Sequence, residues 1–302
     1  MENPIKNQKL AYIHALIAVF LWSTVSSAFK ISLETLSVAQ LVFYAVLTST
    51  FVLFLIVLIK KQSKQVLLHF KKNYKIIIVL GILNPFLEYI CLFKAYDLLP
   101  VQEAQTINFT WALMLTYLSI PLLGHKIKLN DFIAGIICYF GVLIIATKGD
   151  PLSLNFSSTD GIIFVLLTTV IWSLYWIYNT KVKVEPVVGI FSSFLVGLPL
   201  VFIYYIYTED FSLPDIKGLF GAFYIGLFEM SITFMFWLSA MKLTKSTTKI
   251  ANLIFIAPFL SLIFIYFIIG EEILFSTITG LILIVLGLLV QQSSSIAKNF
   301  KT

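Results

Sequence analysis

The sequence predicts an all-α integral membrane protein whose ten transmembrane helices form two inverted five-helix repeats. Apolar residues make up 59% of the 302 residues and charged residues only 12%, and the mean hydropathy is +0.96. A water-soluble globule of this size carries far less apolar surface. The apolar residues fall in ten stretches, five on each side of the polar link Lys148–Asp160. The lysines cluster at alternate ends of successive stretches, as in a multi-pass membrane protein.

Each apolar stretch is read as one membrane crossing, because most are close to the roughly 20 residues that a helix needs to cross a hydrocarbon core about 30 Å thick. The first run is too long for the apolar region of a signal peptide, which usually has about 7–15 residues, and is kept as a helix. The predicted helices are Leu10–Phe29, Val38–Ile59, Ile76–Phe93, Val101–Leu123, Phe132–Thr147, Gly161–Tyr178, Pro186–Tyr207, Gly218–Ala240, Ile250–Ile269 and Ile273–Val290.

The lysines predict the orientation. All 21 basic residues are lysine, and with both termini in the cytoplasm only Lys30, Lys94, Lys148 and Lys217 lie outside. This bias follows the positive-inside rule. It predicts a multi-pass protein of the cell (plasma) membrane with cytoplasmic termini. The net charge of +6 is then explained by topology, and no nucleic-acid partner is predicted.

The two halves share residues as well as helix count. Five crossings in each half require the second half to enter the membrane from the opposite face. We expect 1–150 to form the first repeat and 151–302 the second, together in one membrane domain. The matching pairs are Trp22-Ser23 with Trp172-Ser173, Gly81 with Gly226, Ala95 with Ala240, Gly124 with Gly270 and Gly141 with Gly287. An inverted repeat of this kind is typical of transporters.

The sequence indicates neither an enzyme nor a cofactor. It has no glycine-rich phosphate loop, no HExxH motif and no paired aspartate motif for a metal-bound diphosphate. Cys91 and Cys138 fall within membrane segments and form no CxxC or Cys/His metal motif. Energy for transport is therefore expected from an ion or solute gradient.

Two acids within the apolar stretches are the first candidate site residues. An acid at the centre of a spanning helix costs on the order of 2.5–3.5 kcal/mol on insertion scales. Glu229 is the midpoint of Gly218–Ala240, and the repeat register pairs it with Asn84; i,i+4 spacing places Glu88 on the face of Asn84. On the eighth helix Gly226, Glu229, Thr233 and Trp237 also follow helical spacing and are expected to form one polar-aromatic face. Because desolvation favours the neutral form of an acid, Glu229 and Glu88 are expected to exchange protons during transport. The alternative is an interhelical hydrogen bond to a carboxyl that stays protonated.

Polar and aromatic side chains on other helices are expected at the same depth. The predicted substrate-binding residues are Trp22, Asn84, Glu88, Asn108, Trp111, Trp172, Trp176, Glu229, Thr233 and Asn252. Aromatic faces together with acids suit an amine or ammonium group, in an amino acid or an organic amine. Core packing explains any single tryptophan equally well.

Four segments resemble the drug/metabolite transporter superfamily, in particular its ten-helix EamA-type branch. They are Ala95-Tyr96-Asp97-Leu98-Leu99-Pro100, Ile107-Asn108-Phe109-Thr110-Trp111, Ala257-Pro258-Phe259 and the Gly270-Glu271-Glu272 turn ahead of Gly280 and Gly287. The resemblance spans nearly the whole chain. It implies a ten-helix transporter fold, and substrates that range from amino acids and other metabolites to toxic amines.

Two departures from the family pattern concern the first half. Ala112 stands where the family often has a proline, and His125 follows Gly124 where an acid would complete the turn. A weaker bend is therefore expected in the fourth helix. Glu271 and Glu272 begin the predicted tenth helix, so we expect them to interact with the dipole at its N-terminus.

The sequence thus predicts a secondary-active exporter of small metabolites, amino acids or organic amines that works by alternating access in the lipid bilayer, with protons as a second partner. Helices three, four, eight and nine are expected to supply most of the cavity, with one and six beside them. A uniporter, exchanger or importer of the same fold remains open, as does a membrane sensor or intramembrane enzyme. The oligomeric state is left open.

Overall fold

The computed structural model describes residues 6–124, 126, 129–153, 155–209, 212–245 and 247–299, without the side chains of 247, 248 and 292–299. All regular secondary structure in these residues is helical. Nine of their helices are long and apolar enough to cross a membrane, and the apolar part of the tenth, Phe275–Gln291, is shorter. The predicted all-α membrane fold is confirmed.

Ten helical spans follow one another along the chain. They are α1 Gln8–Leu33, α2 Val38–Ile59, α3 Ser63–Leu98, α4 Val101–Leu123, α5 Leu129–Ala146, α6 Thr159–Thr180, α7 Pro186–Thr208, α8 Ile216–Leu243, α9 Lys249–Ile269 and α10 Phe275–Asn299. Most bounds lie within a few residues of the prediction. The exceptions are the start of α3, at Ser63 rather than Ile76, and the end of α10, at Asn299 rather than Val290. The added turns in both places are mostly polar, so hydropathy does not predict them.

The contacts divide the chain into two compact units that do not follow its halves. Unit 1 comprises Met1–Phe86 and Lys183–Gly270. Within it α1 packs against α8 and α9, α2 packs against α7 and α8, and the first part of α3 packs against α7. Unit 1 therefore contains helices from both halves of the sequence.

Unit 2 comprises Leu87–Val182 and Glu271–Thr302. Within it α6 packs against α4 and the second part of α3, while α5 packs against α10 and α4. The α5–α10 contact is close because of glycine. A Cβ atom on Gly141 would lie 2.7 Å from the carbonyl oxygen of Gly280, and one on Gly280 would lie 2.6 Å from that of Gly141. Glycine at both positions allows the backbones to approach.

The repeat appears in the contacts of Gly81 and Gly226, both in unit 1. A Cβ on Gly81 would meet the carbonyl of Ser193 and the side chain of Val196 in α7. A Cβ on Gly226 would meet the carbonyl of Ala45 and the side chain of Thr48 in α2. Ala45 and Thr48 precede Ser193 and Val196 by the same interval in the sequence. The third helix of each half therefore packs on the second helix of the other half through equivalent atoms.

Candidate functional site

The helix α8 is interrupted at Glu229, near its centre. Its two α-helical parts are Ile216–Phe228 and Ile232–Leu243. Ser231, with φ −136° and ψ −77°, lies outside the helical region of backbone space. Glu229 is half-buried as a whole residue, and no hydrogen bond or ion pair joins its carboxylate to any described residue. The acid therefore lies where the backbone leaves the regular hydrogen-bonding pattern.

Hydroxyl groups satisfy the backbone around this interruption. Ser231 donates to the carbonyl of Gly226, and Thr233 donates to the carbonyl of Phe228. The hydroxyl of Ser49 in α2 lies 3.2 Å from the Ser231 hydroxyl and 3.2 Å from the carbonyl oxygen of Met230. These partners replace intrahelical hydrogen bonds that the break removes, since an unpaired buried carbonyl is costly.

The helix α3 is interrupted at the position that the repeat register pairs with Glu229. Its π-helical segment Ile82–Leu87 contains Asn84, whose φ of −143° and ψ of 119° are extended. The Asn84–Pro85 peptide is cis. The Asn84 side chain is 2% exposed, and its Oδ1 atom has no hydrogen-bond partner among the described residues. Asn84 thus offers a buried acceptor at the break.

Two predictions based on regular helical spacing are wrong. The expected common face of Asn84 and Glu88 requires a continuous helix between them, and the extended backbone at Asn84 removes it. Likewise, Thr233 and Trp237 do not continue the face of Gly226 and Glu229, because α8 breaks between the two pairs. Glu88 is buried at the start of the α-helical segment Glu88–Leu98.

The other two predicted residues of unit 1 lie on α1 and α9. The ring of Trp22 contacts Phe234 at 5.5 Å and Trp237 at 5.6 Å between centroids, so it packs on the second part of α8. Asn252 begins a 3₁₀ segment, Asn252–Ile256, within α9. Its Oδ1 atom is buried without a partner among the described residues. No hydrogen bond joins Glu229 to Asn84 or Asn252 among these residues.

In unit 2 the helix α4 is interrupted beside two predicted residues. Its parts Val101–Asn108 and Trp111–Leu123 are separated by a turn. The Thr168 hydroxyl of α6 donates to Asn108 Oδ1 at 3.0 Å, and the Ser173 hydroxyl lies 3.0 Å from the carbonyl oxygen of Trp111. The helix is interrupted here although Ala112 stands in place of proline, and the expected weaker bend stays a prediction. His125 lies outside the described residues.

Trp172 and Trp176 form an aromatic cluster on α6 in unit 2. Trp172 stacks on Tyr175 with centroids 5.5 Å apart and meets Trp176 edge to face at 5.7 Å. The Nε1 atom of Trp176 is buried without a hydrogen-bond partner among the described residues. A buried indole N–H usually finds an acceptor, so this donor is available to a bound molecule.

Residues that the sequence reasoning missed lie at the start of α4. Glu271 caps a different helix from the predicted one. Instead of the N-terminus of α10, its carboxylate oxygens accept from the backbone N–H groups of Val101 at 3.0 Å and Gln102 at 3.3 Å, at the start of α4. Gln102 in turn accepts from Leu274 N–H at 2.9 Å, just before α10 begins. One sequence feature indicates such a contact. Pro100 precedes α4 and offers no capping side chain, so the cap must come from elsewhere.

Comparison with known proteins identifies the family. The sequence matches the model of the EamA-like transporter family twice, over residues 9–147 and 159–291. A crystal structure of a protein with 18% sequence identity superposes with a TM-score of 0.69, covering 98% of this chain and 100% of that one; at this identity the likeness concerns the fold alone. A comparison with curated proteins gives no match. The chain belongs to the EamA-like transporter family of the drug/metabolite transporter superfamily, and it is a membrane transporter of a non-enzymatic family.

Proposed function

We propose that the protein is a secondary-active exporter that works by alternating access. The observation that carries this proposal is the interruption of α3, α4, α8 and α9 at repeat-related positions. The π segment of α3 matches the break in α8, and the turn in α4 matches the 3₁₀ segment of α9. Helices that break near mid-span bring polar groups to the depth at which transporter folds bind substrates and ions.

The proposed substrates are small metabolites, amino acids or organic amines. Trp22, Trp111, Trp172 and Trp176 offer aromatic faces for a cationic amine. Asn84, Asn108, Thr233 and Asn252 offer hydrogen-bonding groups. The unpartnered Oδ1 atoms of Asn84 and Asn252 support this assignment, because they are acceptors that an ammonium group could satisfy.

Glu229 and Glu88 are the proposed proton-coupling residues. Glu229 is partly exposed and lies at a helix break without a cationic partner among the described residues. A carboxylate in this position can bind a proton and become neutral, or it can stay charged and pair with a cationic amine. It cannot do both at once. Competition of this kind couples the release of one to the binding of the other.

The experiment that tests this function uses purified protein in liposomes that contain a pH-sensitive dye. Amino acids and organic amines are added outside in turn, and substrate-driven proton movement is recorded against protein-free liposomes. A response to one class establishes coupled transport and names the substrate class. A flat dye signal with measurable flux of labelled solute would identify a uniporter or exchanger. Absence of any flux from folded protein would contradict the proposed substrate classes.

The proposed orientation places both termini in the cytoplasm of a cell whose plasma membrane holds the protein. It follows from the lysine distribution and the positive-inside rule. In this orientation Glu34, Lys217 and Glu209 are extracellular. Lys60, Lys242 and Glu185, which form ion pairs at 4.0 and 3.3 Å, are cytoplasmic.

A further inference from the structure

The first three turns of α3 extend beyond the predicted crossing. The span Ser63–Leu98 has 36 residues, which at 1.5 Å per residue is about 54 Å long. A hydrocarbon core of about 30 Å takes up roughly 20 of these residues. The apolar stretch begins near Ile76, and Asn73, with φ −130° and ψ 21°, breaks the helical backbone just before it. The segment Ser63–Lys72 is therefore a separate helical piece outside the hydrocarbon core.

One face of this piece packs on the protein. Val66 and His69 are 8% and 4% exposed, and Phe70 is partly buried. The Asn73 amide lies 3.1 Å from His69 Nδ1, across the kink. The spacing i, i+3, i+4 places these three side chains on a single side of the helix.

The opposite face mixes lysine with leucine. Lys64, Leu67, Leu68, Lys71 and Lys72 follow the spacing i, i+3, i+4, i+7 and i+8, and all are exposed. Leu67 and Leu68 are 58% and 53% exposed. A face turned only to water seldom carries two adjacent exposed leucines beside lysines, whereas a helix lying in a membrane interface does.

The charge on this face is uncompensated. The segment 60–75 contains six lysines and no acid. Lys60 lies 4.0 Å from Glu185, but Lys64, Lys71, Lys72 and Lys75 form no ion pair with any residue in the described part of the chain. When the neighbouring leucines are inserted into lipid, the lysine side chains can extend to the phosphate level of the bilayer. The local charge complements an anionic membrane surface.

We propose that Ser63–Lys72 is an interfacial helix that binds anionic phospholipid headgroups through Lys64, Lys71 and Lys72, with Leu67 and Leu68 inserted between the lipids. Its assignment to the cytoplasmic leaflet rests on the proposed orientation. Binding to lipid does not depend on transport, so the proposal can fail or hold independently of the proposed function. Each lysine near an anionic surface strengthens binding roughly fivefold, and three together about a hundredfold.

The test measures amide hydrogen exchange of residues 63–74 in the full-length protein. The protein is placed in nanodiscs of phosphatidylcholine alone or mixed with phosphatidylglycerol. We expect exchange to be several-fold slower with phosphatidylglycerol, and the difference to vanish in K64Q/K71Q/K72Q. Raising the salt from about 0.1 M to 1 M shortens the Debye length from about 10 Å to 3 Å and should also abolish the difference.

A matched control removes three other lysines that are predicted to lie on the cytoplasmic side but do not belong to this helix face. K181Q/K183Q/K245Q should retain the wild-type lipid dependence, and unchanged exchange in α2 and α7 verifies that each variant is folded. L67S/L68S should exchange faster than wild type in both lipids. Equal exchange of the wild-type protein in the two lipids would overturn the proposal. An acidic protein would then be the partner that the charge of this face favours. An equal loss in the control would also overturn it, because net charge alone would then be responsible.

Discussion

The hydroxyl of Ser173 lies 3.0 Å from the carbonyl oxygen of Trp111, where α4 resumes after its interruption. Ser23 stands in the same relation to Ala257 of α9, at 3.2 Å. Each serine also bonds within its own helix, to the carbonyl four residues earlier. The first helix of each repeat is therefore linked to the interrupted fourth helix of the other repeat through an equivalent pair of atoms.

Replacing either serine should loosen this link. We expect Ser23→Ala and Ser173→Ala each to lower the free energy of unfolding by about 0.6 kcal/mol, a typical value for an interhelical hydrogen bond in a membrane protein. Thermal unfolding in detergent measures the loss. Ser192→Ala is the matched control, because among the described residues its buried hydroxyl bonds only to the carbonyl of Val188 in its own helix. Equal losses in all three variants would mean that the interhelical bonds contribute nothing.

A methyl group at Gly81 should disturb the packing of α3 on α7. The added Cβ would lie 2.7 Å from the Ser193 carbonyl oxygen and 2.8 Å from Val196 Cβ. We expect Gly81→Ala to cost about 1–3 kcal/mol, as overpacking usually does, and Gly226→Ala to cost a similar amount against α2. Gly124→Asn serves as the control, because a Cβ added there would have no atom of another described residue within 4 Å, its chain neighbours aside, and asparagine tolerates its positive φ. Wild-type stability of Gly81→Ala would show that the backbones can separate without cost.

Removing the cap from α4 should destabilise the start of that helix. Glu271→Ala leaves the N–H groups of Val101 and Gln102 without their acceptor, and such losses cost about 0.5–2 kcal/mol. Glu271→Gln retains an acceptor oxygen and should lose less. Hydrogen exchange over residues 101–104 reports the effect locally. Glu272→Ala should leave this exchange unchanged, because Glu272 accepts from the Gln102 side chain through its backbone carbonyl, which the substitution retains. A comparable acceleration in Glu272→Ala would contradict the capping role of Glu271.

The sequence predicts where the helices lie, but not where they break. Hydropathy reports the average environment of a segment, so it places α2, α4 and α7 to within a residue or two. The break in α8 has neither glycine nor proline at its centre. It depends on Ser231 meeting Ser49 of α2, which is a tertiary contact. The prediction that Asn84 and Glu88 share one face is therefore wrong, because it assumes a continuous helix between them.

The start of α4 shows a second limit. A helix preceded by Pro100 requires capping groups from elsewhere, and the sequence indicates that need without identifying the residue that supplies the acceptor. Glu271 is 170 residues from Val101 along the chain, so only the packing of α10 in unit 2 identifies it. The pairing of Gly81 with Gly226, in contrast, could be predicted from the sequence, and the two glycines make equivalent contacts in the structure.

The proposed transport cycle depends on Glu229 to couple proton movement to solute export, and one comparison of two proteins tests this coupling. Wild type and Glu229→Gln are reconstituted in liposomes with a substrate found by the dye screen. Exchange of labelled substrate is measured without a pH gradient, and accumulation is measured with one. We expect Glu229→Gln still to exchange substrate but no longer to accumulate it against a concentration gradient. Accumulation by Glu229→Gln with the pH dependence of wild type would contradict the claim.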